Sequence, residues 1–194
     1  MQSALHYSHN LLDQLIARFP DGYFIDATLG KGHDITYILS RPHFTGCCLG
    51  FDIQAQALAY SQDRLDQAGP FSGEYRLIQD SHANLDHYLE EDRKVHGAIF
   101  NLGYLPGGDH QITTHVESTY PALQTISRQL VQGGQVIVVV YPGHPQGQKE
   151  SDQLLKRLAD WPQNRFQVLT YRFINQINQP PYPVSYTHLT LPTN

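Results

Sequence analysis

Apolar strand-like runs and helix-like stretches alternate along this chain from end to end, with no internal repeat and no low-complexity linker. Strand patterns fall at residues 23–27, 46–51, 75–79, 97–101, 135–141 and 166–173. Between them lie helical patterns, from residue 33 to 39 and at 54–67, about 118–130 and 147–159, with another over residues 1–19 ahead of the first strand. Gly69-Pro70 closes the third helical region, and Gly133-Gly134 introduces the fifth strand. Such alternation predicts an α/β domain in which a mostly parallel sheet carries helices on both faces. Ligands of such sheets bind beyond the carboxyl ends of the strands, where the strand order reverses. The polar and glycine-rich segments of this chain fall at those ends: residues 26–34, 52–54, 80–82, 101–109 and 141–147.

Composition sets the outer limits. At 194 residues, with 40% hydrophobic and 16% charged residues, the chain suits one compact domain with a substantial core. No apolar run approaches the roughly 20 residues of a membrane span. The first helix, with Leu5, Leu11, Leu12, Leu15 and Ile16 in apolar positions, lacks the basic start and cleavage site of a signal peptide. A cytoplasmic protein is the expectation. Its two cysteines, Cys47 and Cys48, are adjacent in a strand, so their side chains point to opposite faces. They read as small buried hydrophobes, and the eleven histidines have no metal-ligand spacing, so no metal is expected. The net charge of −5 does not announce a nucleic-acid binder. From Lys149 onward, however, five basic residues outnumber three acids, which permits a local phosphate-binding patch.

Phe24-Ile25-Asp26-Ala27-Thr28-Leu29-Gly30-Lys31-Gly32-His33-Asp34 is an apolar strand running into a glycine turn. Gly50-Phe51-Asp52-Ile53-Gln54 is a second strand ending in an acid. Glycines let the backbone approach a ligand, and an acid after the second strand accepts hydrogen bonds from ribose hydroxyls. A dinucleotide fingerprint would need a third glycine where Ile35 stands, so that a pyrophosphate could rest on the helix N-terminus. Asp26 and Asp34 would repel a diphosphate but welcome a cationic amino-acid sulfonium. The turn therefore favours S-adenosylmethionine over NAD(P). Thr28, Gly30, Gly32 and His33 would lie along the methionine part, with Asp26 or Asp34 holding its ammonium group directly or through water. Asp52 would take the ribose, and Gln54 either caps the next helix or touches the adenosine. Asp80, Ser81 and His82, at the end of the third strand, are placed to recognise adenine; the alternative for Asp80 and Ser81 is a helix N-cap.

The catalytic candidate is Asn101-Leu102-Gly103-Tyr104, which resembles the Asn-Pro-Pro-Tyr loop of amino-group methyltransferases, with Leu102 and Gly103 in place of the prolines. In that loop the Asn and a backbone carbonyl accept hydrogen bonds from the target amine, and the aromatic residue packs on the substrate base. The resemblance assigns these roles to Asn101, which also borders the cofactor, and to Tyr104. An alkylamine must lose a proton before it attacks. His144 in Tyr141-Pro142-Gly143-His144-Pro145, His82 and Asp109 are the candidates to receive it.

Together, Asp26-Ala-Thr-Leu-Gly-Lys-Gly-His-Asp34, Gly50-Phe-Asp-Ile-Gln54, Ala98-Ile-Phe-Asn-Leu-Gly-Tyr-Leu-Pro-Gly-Gly-Asp109 and Tyr141-Pro-Gly-His-Pro-Gln-Gly147 closely resemble a bacterial family long described as ribosomal-RNA methylases and now associated with the tRNA wobble uridine. Phe173-Ile-Asn-Gln-Ile-Asn-Gln-Pro-Pro181 is similar to the same family's C-terminal signature. The resemblance covers roughly residues 3 to 182. It implies a Rossmann-like class I methyltransferase fold with a seven-stranded sheet, S-adenosyl-L-methionine as cofactor, and tRNA as partner. The implied reaction converts 5-aminomethyl-2-thiouridine to 5-methylaminomethyl-2-thiouridine; methylation of ribosomal RNA or another amine is the competing assignment. Without an appended RNA-binding module, a homodimer would extend the basic surface.

Residues 1–182 thus read as one methyltransferase domain, and residues 183–194 as an atypical tail foreign to the family sequence. Prolines at 183 and 192 fit poorly inside a paired strand, so this tail is expected to be poorly ordered or loosely paired. Two readings from other classes stand beside the enzyme: an NAD(P)-dependent oxidoreductase, disfavoured by the acids and Ile35, and a non-catalytic module that binds the methyl donor or RNA.

Overall fold

The computed structural model describes residues 3–103 and 114–189. Its elements run α1 (Ala4–Arg18), β1 (Tyr23–Asp26), α2 (His33–Leu39), β2 (Cys47–Asp52), α3 (Ala55–Ala68), β3 (Glu74–Gln79), a 3-10 turn (His82–His87), β4 (Val95–Asn101), α4 (Val116–Gln129), β5 (Leu130–Val140), α5 (Pro145–Ala159), β6 (Phe166–Thr170) and β7 (Tyr182–His188). They form one seven-stranded sheet in the order β3-β2-β1-β4-β5-β7-β6. β7 runs antiparallel to β5 and β6, and the other pairings are parallel. Strand order reverses between β1 and β4, which places a crevice at the carboxyl ends of those two strands.

Side-chain alternation divides the core into two layers. Phe24, Cys48, Ile99 and Ile137 face α1, α2 and α3, where Leu12, Leu15, Ile35, Ile38 and Leu65 cover them. Their neighbours Ile25, Leu49, Ala98, Phe100, Val136 and Val138 face the opposite way, under the 3-10 turn, α4 and α5. The stripe Leu11, Leu12, Leu15 and Ile16 buries one side of α1, whose N-cap Ser3 accepts from the His6 N–H. Leu5 departs from the expected stripe and is 51% exposed, since it lies on the other side of that helix. Cys47 and Cys48 are free thiols, and burial pushes both above the ordinary thiol range.

The expectation for the tail is corrected. Residues 182–188 form a strand inside the sheet, with Pro183 opposite Val139 and Tyr186 between Val136 and Val168. Val184 and Tyr186 are fully buried, and the Tyr186 hydroxyl donates to the Leu123 carbonyl. Burial on both faces holds the segment: residues 182–186 are all buried, and the strand pairs with β5 along one edge and β6 along the other. Pro183 sits near the start of the strand, where a missing N–H costs little. Residues 190–194 lie outside the described residues.

Candidate functional site

The strand ends are stapled before any ligand is considered. The Ala27 N–H donates to the Ile99 carbonyl, Leu29 N–H to Phe51, and Leu102 N–H to Val139. Chain leaving β1 is thereby tied to β2 and β4, and chain leaving β4 to β5. The turn itself needs its glycines: Gly30 and Gly32 have φ of 52° and 71°, and a Cβ on Gly32 would lie 2.8 Å from the Ser61 Cα.

The two acids of the turn are used differently. Asp26 is fully buried, its carboxylate accepting from the N–H groups of Thr28 (3.2 Å) and Ile35 (3.0 Å). Burial, and then the nearby Asp34 charge, hold its carboxyl well above the usual range. These two bonds make Asp26 a structural staple of the turn. Asp34 accepts from His9 Nε2 at 2.8 Å and from the Asn101 side-chain amide. His33 is exposed, and its Nε2 lies 3.3 Å from Arg64 Nη2. Burial and the Arg64 charge lower its pKa. Lys31 Nζ lies over the Tyr60 ring, 5.9 Å from its centroid.

Asp52, at the end of β2, accepts from Gly30 N–H and Gln54 N–H, both at 3.0 Å. Its burial raises the pKa, while those bonds pull it back. A carboxylate has about four lone-pair sites, so these two bonds leave acceptor capacity for hydroxyls. Gln54 takes the N-cap position of α3, but its side chain makes no capping bond.

Ser81 is the N-cap of the 3-10 turn that sequence periodicity missed, and Asp80 stands just ahead of it. Asp80 accepts from Ser81 N–H, Asn84 Nδ2 and Tyr88 hydroxyl, and these bonds lower its pKa. Ser81 Oγ accepts from Ala83 N–H. The capping alternative thus describes Ser81, whereas Asp80 braces the turn through the side chains of Asn84 and Tyr88. His82 is buried, its Nδ1–H donating to the Ala27 carbonyl at 3.0 Å, and burial lowers its pKa to about 4. It is a neutral strut between the ends of β1 and β3.

Asn101 closes β4. Its N–H donates to Thr28 Oγ1 at 2.6 Å, its Nδ2 donates to Asp34 Oδ2, and its Oδ1 lies 3.4 Å from the Tyr141 hydroxyl. Tyr141 is 39% exposed, and burial together with the Asp34 charge raises its pKa. His144 is the N-cap of α5, its Nδ1 accepting from Gly147 N–H at 3.0 Å. Tyr104 and Asp109 lie outside the described residues. The feet of that segment are defined: Gly103 N–H donates to Thr114 Oγ1, which donates to the buried Glu150 on α5. Burial raises the Glu150 pKa, against the hydroxyls of Thr114 and Thr119.

Thr28, Gly30, Gly32, Asp34, Asp52 and Asn101 thus meet at the ends of β1, β2 and β4. Sequence reasoning missed His9, which reaches Asp34 from α1, and passed over Tyr141 in favour of His144. No local motif marks His9; only packing of α1 beside α2 brings it there. Among the described residues, no group of three or more His, Cys, Asp or Glu could hold a metal ion. Nor is any described helix long and apolar enough to cross a membrane.

The seven-stranded sheet, its strand order and the glycine turn opposite an acid define the class I methyltransferase fold. Residues 48–187 match the family model described as "Putative rRNA methylase", and the chain belongs to that family. It is similar to a chloroplastic tRNA (mnm(5)s(2)U34)-methyltransferase of Arabidopsis thaliana, 33% identical over 180 residues. That match takes in 87% of this chain, which spans 65% of the relative's length. The crystal structure of a "putative rRNA-methylase" from Clostridium thermocellum has a TM-score of 0.86 and 34% identity, covering 97% of this chain and 99% of that one. A "putative methyltransferase" from Streptococcus mutans in complex with SAH has a TM-score of 0.85 and 33% identity over the same shares.

Proposed function

We propose that this chain is an S-adenosylmethionine-dependent N-methyltransferase acting on the aminomethyl group of 5-aminomethyl-2-thiouridine at the tRNA wobble position. The observation that carries this reading is Asn101, held at the end of β4 with its amide nitrogen on Asp34 and its oxygen turned toward Tyr141. That oxygen is an acceptor for an amine N–H beside the glycine turn. The name of the Arabidopsis relative supports a wobble-uridine substrate, and the Streptococcus mutans complex with SAH supports the donor.

The residues present fit the donor. Gly30 and Gly32 hold the turn at positive φ beside the ends of β1 and β2, and a Cβ on Gly103 would meet nothing within 4 Å. Thr28, Gly30 and Gly32 would hold the methionine part and Asp52 the ribose. S-adenosylmethionine supplies a methyl group carried on a sulfonium cation. Asn101 Oδ1 accepts from the amine and turns its lone pair toward that methyl, and such positioning supplies much of the acceleration. The attacking amine is neutral, having first lost its ammonium proton to solvent or a nearby base. Asp34 places negative charge beside the amine-binding position, which favours a cationic substrate on arrival.

The test is mass spectrometry of nucleosides from tRNA lacking the final wobble methyl, after incubation with the protein and S-adenosylmethionine. Gain of one methyl on aminomethyl-thiouridine is expected. No gain, with donor binding retained in calorimetry, overturns the substrate. The family description favours ribosomal RNA as a second reading, which the same assay on unmethylated ribosomal RNA examines.

A further inference from the structure

An amide has two ends of nearly equal shape and opposite character: the oxygen accepts hydrogen bonds and the nitrogen donates them. An amine about to attack through its lone pair needs the oxygen. The NH2 end would instead donate to that lone pair and occupy it. Which end of Asn101 faces the amine is decided by what holds the other end. Asp34 accepts from Asn101 Nδ2 through Oδ2 and from His9 Nε2 through Oδ1, the latter at 2.8 Å. His9 comes from α1, with its ring stacked on Tyr37 at 3.9 Å and 23° between planes. Tyr37 is itself fixed: its hydroxyl donates to Asp13 Oδ2 at 2.8 Å, and the Arg41 guanidinium lies 3.9 Å over its ring. A rigid line of contacts therefore runs from the outer helix layer to the end of β4.

We propose that His9 is a positioning residue for amine methylation: through Nε2–H it holds the Asp34 carboxylate so that Asn101 presents Oδ1, not Nδ2, to a neutral alkylamine. The proposal rests on the site reading above and names two separable properties of His9, a hydrogen-bond donor and a stacked ring. His9→Phe keeps the ring on Tyr37 and removes the donor. His9→Gln keeps an N–H at similar reach and removes the ring.

With wobble-unmethylated tRNA as substrate, His9→Phe is expected to lower kcat about tenfold to a hundredfold, as misplacing a reacting group does. KM for tRNA and the affinity for SAH should stay within about twofold, and His9→Gln should recover most of the rate. The second readout is the Asn101 side-chain NH2 pair in 15N–1H NMR spectra of the free protein, assigned by its loss in Asn101→Asp. One of its protons, bonded to a carboxylate, is expected downfield in the wild type and in His9→Gln, with both at solvent-exposed positions in His9→Phe. Asp34→Asn should give the same spectral collapse, and His9→Leu carries the test if His9→Phe does not fold. Unchanged Asn101 resonances in His9→Phe overturn the proposal. So does a His9→Gln protein as slow as His9→Phe, which would assign the effect to the ring. Because the spectra need neither tRNA nor donor, a wild-type protein inactive on tRNA would refute the substrate and leave this test intact.

Discussion

Asp52 and Asn101 have separable consequences at the scale of single residues. Asp52 already receives two backbone N–H bonds, and the proposed ribose contact uses its remaining lone pairs. Asp52→Ala should weaken SAH binding by about 1–3 kcal/mol, the range for a lost charge-assisted hydrogen bond; calorimetry with equal affinity for both proteins would reject the ribose role. Asn101→Ala should abolish methyl transfer while largely sparing SAH affinity, and unchanged turnover would remove Asn101 from the mechanism. His82 gives a pH signature unrelated to catalysis. Its pKa is lowered from 6.5 to about 4, so above pH 6.5 it is neutral in folded and unfolded chains alike. As pH falls from 6.5 toward 4, the unfolded chain takes a proton that the folded one refuses, and stability drops by about 3 kcal/mol over that window. Denaturant titrations of wild type and His82→Gln should show a shallower loss in the variant; parallel curves would place the buried proton site elsewhere.

Among the elements, β7 is the instructive one. Tyr186 is fully buried against Trp161 (ring centroids 4.7 Å apart) and Phe166 (5.9 Å). Tyr186→Ala should cost about 3–5 kcal/mol by leaving a large cavity. Tyr186→Phe should cost about 1 kcal/mol, because only the bond to the Leu123 carbonyl is lost. Chemical denaturation distinguishes them, and a near-neutral Tyr186→Ala would mean that this strand is not packed as described. The elements were legible where periodicity was strong, as in β1, β2, α3 and α5, whose ends moved by only one or two residues. The 3-10 turn at His82–His87 was not, because it is held by the Ser81 cap and by the side-chain bond of Asn84 to Asp80 rather than by an apolar repeat. The last strand is not legible in the same way, because the effect of a proline depends on where in the ladder it falls, and only the fold puts Pro183 near the strand's start.

For the whole molecule, β7 completes the sheet rather than trailing from it. Among the described residues β6 pairs only with β7, and β5 has β4 on one side and β7 on the other. A chain ending at Pro181 therefore strands β6 and uncovers the edge of β5. It is expected to lose cooperative unfolding and near-ultraviolet circular dichroism; a cooperative transition at the wild-type Tm would refute the topology. The same sheet order puts the candidate site where β1 and β4 part, and α1, α2 and the β4 end contribute His9, Asp34 and Asn101 to it from distant parts of the chain.

What the sequence by itself determined was local: the alternation that makes a parallel sheet, the glycines that a positive-φ turn requires, and the acids and amide at strand ends. These follow from near-neighbour chemistry, since period, turn geometry and strand polarity are written within a few residues. Only the tertiary structure decided how those groups are used. Asp26 and Asp34 stand at either end of one turn, yet one is sealed under backbone N–H groups and the other bridges His9 and Asn101. The difference lies in what packs above each carboxylate, and α1 brings that partner from 25 residues earlier in the chain.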